Sequence, residues 1–166
     1  MYRKRPLGLG SLLLTLAWGV SPASAGAATA TTTFQVTANI NATCSINATD
    51  LDFGDYTGAL LNGQSEITLK CTNTTAWNVG LNAGTGAGAT VTTRKMTGPA
   101  TSVLNYALFT DNTRTDNWGD TVGTDTVSGI GSGATQSLQV YGQIPAGQTT
   151  AAAGGYIDTI TATITF

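Results

Sequence analysis

The chain has 166 residues, with 7 Lys+Arg, 9 Asp+Glu, no His and 2 Cys, a length that predicts one domain. With 10% charged residues, 21 Gly, 32 Thr and 22 Ala, the composition favours strands and turns over surface helices and argues against a helical bundle. The absence of histidine removes the usual catalytic base and metal ligand, and two cysteines cannot build a four-thiolate site.

Met1 to Arg5 hold three basic residues, and residues 7–20 form an apolar run interrupted only by Gly, Ser and Thr. That order is the layout of a secretory signal peptide, and the run is shorter than the roughly 20 residues a membrane helix needs. Ala23, Ser24 and Ala25 supply a small-x-small cleavage site, so residues 1–25 are expected to be removed, with a second site after Ala30 and a retained anchor as the alternatives. The remaining chain carries four basic residues against nine acidic ones, a net charge of −5. A surface of that sign repels phosphate backbones, which argues against nucleic acid as a partner.

Residues 33–46 alternate strictly. Phe34, Val36, Ala38, Ile40, Ala42, Cys44 and Ile46 share one phase, interleaved with Gln, Thr, Asn and Ser. Thirteen residues at about 3.3 Å each span roughly 43 Å, about twice an ordinary strand. Either this strand bends across both sheets of its own domain, or its first half is an arm whose apolar face is buried in another molecule. Further strands are expected at residues 50–53, 65–71, 77–81, 92–96, 104–109, 136–144 and 156–166, and their number and length suit a two-sheet sandwich. Gly84, Gly86 and Gly88 and the stretch 119–135 read as surface loops or weak strands.

Cys44 is in phase with Ile40 and Ile46, and Cys71 with Ile67 and Leu69, so both should point into one core from neighbouring strands and form a disulfide. Two free buried thiols are the alternative. In the last strand Tyr156, Asp158, Ile160, Ala162, Ile164 and Phe166 share a face, and Asp158 is the one charge on it. If that strand flanks an open groove, the sandwich lacks an element and invites strand addition between subunits.

Several blocks carry a resemblance to a known family. They are the arm 34–44, Asp52-Phe53-Gly54, Cys71, the run 104–111 with Arg114, Trp118 and Gly119, the run 140–148, and the ending 155–166. Together they resemble the spore coat protein U family, which includes subunits of archaic chaperone–usher pili. The resemblance implies an all-β, incomplete immunoglobulin-like sandwich over residues 40–166 and a donor-strand arm over residues 26–39. It further implies a periplasmic chaperone that lends a strand, an outer-membrane usher, and neighbouring pilus subunits as partners. Donor contacts would fall on Phe34, Val36 and Ala38. The implied destination is an extracellular pilus or the cell surface, reached through the periplasm.

Structural or groove-lining roles are expected for Trp77, Tyr106, Leu108, Arg114, Trp118, Tyr141, Tyr156, Ile160, Ala162, Ile164 and Phe166. Arg114 reads as a hydrogen-bonding anchor among Asp111, Asp116 and Asp120. The spacing of those carboxylates with Asp125 does not fit a calcium-binding EF-hand loop, and no cofactor, metal or catalytic set is expected. The function expected is a non-enzymatic pilus subunit supporting adhesion or biofilm formation, with a secreted coat protein or a small tip adhesin as the alternatives.

Overall fold

A computed structural model describes residues 25–166 of the chain. The expected signal peptide lies outside the described residues except for Ala25. Among the described residues no helix is long and apolar enough to cross a membrane. Two units are distinguished, one ending at Ala38 and one running from Asn39 to Phe166. Residues 25–43 have no regular secondary structure, and residues 25–42 are exposed.

The second unit is all-β. Its strands are β1 (Cys44–Ala48), β2 (Leu61–Cys71), β3 (Ala76–Leu81), β4 (Arg94–Thr97), β5 (Val103–Phe109), β6 (Val127–Ile130), β7 (Thr135–Ile144) and β8 (Ala162–Thr165). They form a five-stranded sheet in the order β1-β2-β7-β5-β4 and a three-stranded sheet in the order β6-β3-β8. Every pairing is antiparallel. Leu104, Tyr106 and Leu108 of β5 are buried while the residues between them are not, the period-two signature of a half-buried strand. Ile67 and Leu69 from β2, Val79 and Leu81 from β3 and Val140 and Ile144 from β7 join them in one core shared by both sheets.

Polar ties cross between the sheets inside that core. Trp118 is fully buried. Its indole N–H donates to the Val79 carbonyl of β3 at 2.9 Å, and its backbone N–H donates to the Leu108 carbonyl of β5 at 2.9 Å. Arg94 of β4 is also fully buried. Its guanidinium donates to four carbonyls, those of Leu81 (2.9 Å), Asn82 (2.9 Å), Val91 (2.7 Å) and Trp118 (2.6 Å). Burial lowers its pKa from the ordinary guanidinium value, opposed by Tyr106, Asp120, Asp158 and Asp125. The carbonyl fork satisfies donors that would otherwise be stranded.

The architecture departs from the sequence expectations at three places. The long N-terminal strand is not continuous. Only Cys44–Ala48 pairs, and Ile40 is 86% exposed where the shared phase with Cys44 had placed it in the core. The reason is that the β1–β2 ladder begins at Cys44↔Cys71, and ahead of it only Thr43 and Asn41 bond to Thr72, too little to continue the ladder to Ile40. Residues 50–53 form no strand, because they meet no backbone partner. The last strand shrinks to Ala162–Thr165, although residues 156–165 keep the expected alternation of half-buried and exposed side chains. Within the stretch read as surface loops or weak strands, Val127–Ile130 is a short strand paired with β3. Gly129 permits it by facing Trp77, where an added Cβ would meet the indole.

Gly63 of β2 and Gly142 of β7 stand directly opposite each other in the ladder. A Cβ at Gly63 would come within 2.8 Å of Leu51, and one at Gly142 within 2.7 Å of Phe53. The pair leaves a side-chain-free trough in the sheet, and Leu51 and Phe53 occupy it. Filling the trough by Gly142→Val is expected to lower unfolding stability by about 1–3 kcal/mol through overpacking, read as a lower urea midpoint with an unchanged slope.

Candidate functional site

The candidate site is a groove within the second unit, walled on one side by residues 48–53 and on the other by residues 156–162. Its floor is built from Ile67, Leu81, Tyr106, Leu108 and Val140, and its volume is about 470 Å³. A second hollow shares Leu51, Phe53, Met96 and Tyr156 with it and continues past residues 54–58 and 151–155.

The first wall is tethered at its ends. Thr49 N–H donates to the Glu66 carbonyl at 2.9 Å. At the far end the Tyr56 hydroxyl donates to the Pro145 carbonyl at 2.7 Å and accepts from Gln148 N–H at 3.1 Å. Gln148 in turn uses its side-chain amide as a surrogate strand, accepting from Asn105 N–H at 2.7 Å and donating to the Asn105 carbonyl at 2.9 Å. Between these tethers the chain turns at Gly54, whose φ of 72° is the left-handed region that glycine adopts without strain. Its N–H donates to the Asp52 carboxylate at 2.8 Å. Among the described residues, no backbone group of residues 50–57 bonds to another backbone group. Leu51 and Phe53 are nonetheless half-buried against the core, with Phe53 edge-on to Tyr106 at 6.1 Å between ring centroids.

The second wall hangs from Asp158. Oδ1 accepts from Thr85 N–H (2.7 Å), the Thr85 hydroxyl (2.8 Å) and Thr159 N–H (2.8 Å), and Oδ2 accepts from the Tyr106 hydroxyl (2.7 Å). Burial works to raise the Asp158 pKa, but these hydrogen bonds outweigh it and the net shift is downward. The Tyr106 hydroxyl moves the other way, raised far above the phenolic range by burial first and then by its bond to and the charge of Asp158. Asn82 holds the same wall one turn on, its Oδ1 accepting from Thr161 N–H at 2.9 Å. Residues 158–160 make no backbone-to-backbone bond among the described residues. β8 closes the three-stranded sheet with β3 as its one neighbour.

The sequence-derived residues divide into several groups in space. Tyr106, Leu108, Tyr156, Ile160 and Ala162 line the groove. Trp77 and Trp118 are buried in the core and do not reach it, and Ile164 packs against that core from β8. Arg114 and Tyr141 meet elsewhere, with the guanidinium 5.8 Å from the ring centroid. Arg114 donates to the carbonyls of Gly142 (3.1 Å) and Asn112 (2.9 Å) rather than to the neighbouring carboxylates. Asp111 is occupied by its own loop, and hydrogen bonds led by the one from Thr113 lower its pKa. Phe166 is 57% exposed and does not line the groove; it follows the last rung of the β3–β8 ladder, Asn78↔Thr165. Cys44 and Cys71 are joined in a disulfide. Phe34 and Val36 are each 85% exposed, and Ala38 is exposed as well.

Sequence reasoning passed over Arg94 and gave Asp158 no role beyond its place on the face. An inward charge on an otherwise apolar strand face was the available signal for Asp158.

Residues 30–163 match the Spore Coat Protein U domain. The chain belongs to that family. It is 37% identical over 163 residues to Protein U of Myxococcus xanthus, covering 88% of this chain and 89% of that protein. It also resembles a chain in the crystal structure of the CsuC–CsuE chaperone–tip adhesion subunit pre-assembly complex from archaic chaperone–usher Csu pili of Acinetobacter baumannii. That match has a TM-score of 0.59 and 25% identity over 76% of this chain, which spans 40% of the matched chain's length.

The Asp158 linkage has a definite sign. A carboxyl whose folded pKa lies below its unfolded value contributes stability that is present above about pH 4 and is lost as pH falls through the folded value. Asp158→Asn is therefore expected to flatten the fall in stability below about pH 4, with the residual slope coming from groups such as Asp111. Asp158→Ala, which strands the Tyr106 hydroxyl and two N–H groups, should cost roughly 1–3 kcal/mol at neutral pH. Urea titrations across pH 2–7 measure both.

Proposed function

We propose that this family member is an exported structural subunit that assembles with its neighbours by donor-strand complementation. In this reading residues 1–25 are the export signal, residues 26–39 are the donor arm, and residues 40–166 are an incomplete immunoglobulin-like sandwich. A periplasmic chaperone fills the groove first, an outer-membrane usher receives the subunit, and the arm of the next subunit replaces the chaperone's strand. The product is an extracellular pilus that supports adhesion or biofilm formation.

The observation that carries the reading is the pairing of two opposite deficits. The groove has walls that, among the described residues, make no backbone-to-backbone bond at residues 50–57 and 158–160, above an apolar floor. The arm has backbone outside any sheet and exposed apolar groups at every second position, Phe34, Val36 and Ala38, a pattern that Ile40 continues just beyond it. A strand laid along the groove pairs its backbone with the walls and turns alternate side chains into the floor. Burying Phe34, Val36 and Ile40 would contribute about 1.5–3 kcal/mol each. Because an arm at one end fills a groove elsewhere on the next copy, the association does not close and yields a fibre. The role is mechanical and calls for no catalytic group. The likeness to a chain from a chaperone–tip subunit complex supports the chaperone and usher as partners and keeps a tip-subunit variant of the reading open to the same test.

A second reading rests on the family and on its similarity to Protein U of Myxococcus xanthus: a secreted coat protein using the same arm and groove in a surface layer. Deleting residues 31–38 decides whether the arm links subunits. With chaperone and usher present, the deleted chain is expected to be recovered as a chaperone complex while fibres are lost. Fibres of normal length from the deletion would overturn the donor-arm assignment. Arm-dependent association without need of an usher would favour the coat.

A further inference from the structure

Force applied through the arm enters the domain at one point, where residue 43 leads into β1. β1 is five residues long and sits at the end of its sheet with β2 as its one neighbour. An edge strand pulled from its first residue opens rung by rung, each pair of hydrogen bonds breaking alone. The first rung of this ladder is Cys44↔Cys71, and it is the rung closed by the disulfide. Thr72, the next residue, grips the chain just before it. Its N–H donates to the Thr43 carbonyl at 2.9 Å, and its hydroxyl oxygen accepts from Thr43 N–H at 3.1 Å and lies 3.4 Å from the Asn41 carbonyl.

We propose that Cys44, Cys71 and Thr72 form a tension clip that carries pulling force from the arm past β1 to the buried C-terminal end of β2. The proposal rests on the fibre reading, since an arm anchored in a neighbour is what would be pulled. With the bond closed, the path runs from Cys44 directly to Cys71, and the chain between them carries no tension. Cys71 is buried at the end of β2, an interior strand that holds β7 through ten paired positions from Leu61↔Ile144 to Lys70↔Thr135. The segment behind it is fastened as well, with Gly133 N–H donating to the Cys71 carbonyl at 3.1 Å and Thr74 N–H to the Gly131 carbonyl at 2.8 Å. A cross-link serving stability alone could join any two facing positions of β1 and β2. This one occupies the first rung of the β1–β2 ladder, directly behind the Thr43–Thr72 bonds, where peeling of β1 would begin.

The test compares two pulling geometries on the exported chain, folded with its disulfide intact and supplied with a synthetic peptide copy of residues 32–42. In one, optical-tweezer handles are attached to the arm and to the C-terminus. In the other, a click-chemistry handle at position 73 replaces the arm handle, so that the force bypasses the bond. Unfolding force is read before and after reduction by a phosphine. Reduction is expected to lower the force at least twofold in the arm geometry and to leave the position-73 geometry unchanged. It should also add about 9 nm of extension in the arm geometry, the length of the 27 residues of separation at roughly 3.5 Å each. An equal drop in both geometries, including unfolding on reduction alone, would show a general stabiliser and overturn the clip. So would an unchanged force in the arm geometry. Whether the peptide raises the unfolding force reports separately on the donor-strand reading, so the two ideas fail independently.

Discussion

A buried guanidinium whose hydrogen bonds go to four backbone carbonyls organises this domain. Arg94 reaches from β4 of the larger sheet to the Leu81 carbonyl of the smaller one, and to Trp118, which is itself bonded to both sheets. A charge so far from water is tolerated only when its donors are satisfied, and the four carbonyls fix where each strand can lie. The groove lies beside this tie, over Leu81 and Tyr106, between the segment that follows β1 and the one that precedes β8, each an end strand of its sheet.

The groove is held open by side chains doing work that a neighbouring strand would otherwise do. Asp158 collects four donors, two of them backbone N–H groups, and keeps its wall extended without a ladder. Gln148 and Tyr56 do the same at the far end. Leu51 and Phe53 sink into the trough at Gly63 and Gly142, so their segment is packed by its side chains while its backbone is unpaired. Such a site is ready to receive a strand because the side-chain order is already established and the backbone demand is not yet met. In the proposed fibre the groove and the disulfide are connected, since a strand donated by the arm would make the Cys44 junction the point where neighbours pull on one another.

Much of the fold could be read from alternation. β2, β3, β5 and β7 lie where their apolar period places them, and the phase argument that paired Cys44 with Cys71 agrees with their position at one rung. Alternation was a poor guide at residues 33–43 and 50–53, because it reports that a segment could bury one face and says nothing of whether a partner strand is present. The C-terminal segment makes the point most clearly: its side chains alternate through residues 156–165, yet ladder pairing to β3 is confined to Ala162–Thr165.

The amino-acid sequence by itself determined the all-β class, the phase of each face, the cysteine pairing, and the surplus of apolar groups in the N-terminal arm. These are local properties, set by neighbours two residues apart. Tertiary structure decided which segments found partners, that Arg94 would be the inter-sheet tie, and that Asp158 would anchor a groove wall. Those outcomes depend on hydrogen bonds between residues as far apart as Thr85 and Asp158, and a buried polar group takes its meaning from partners that only the folded chain brings within 3 Å.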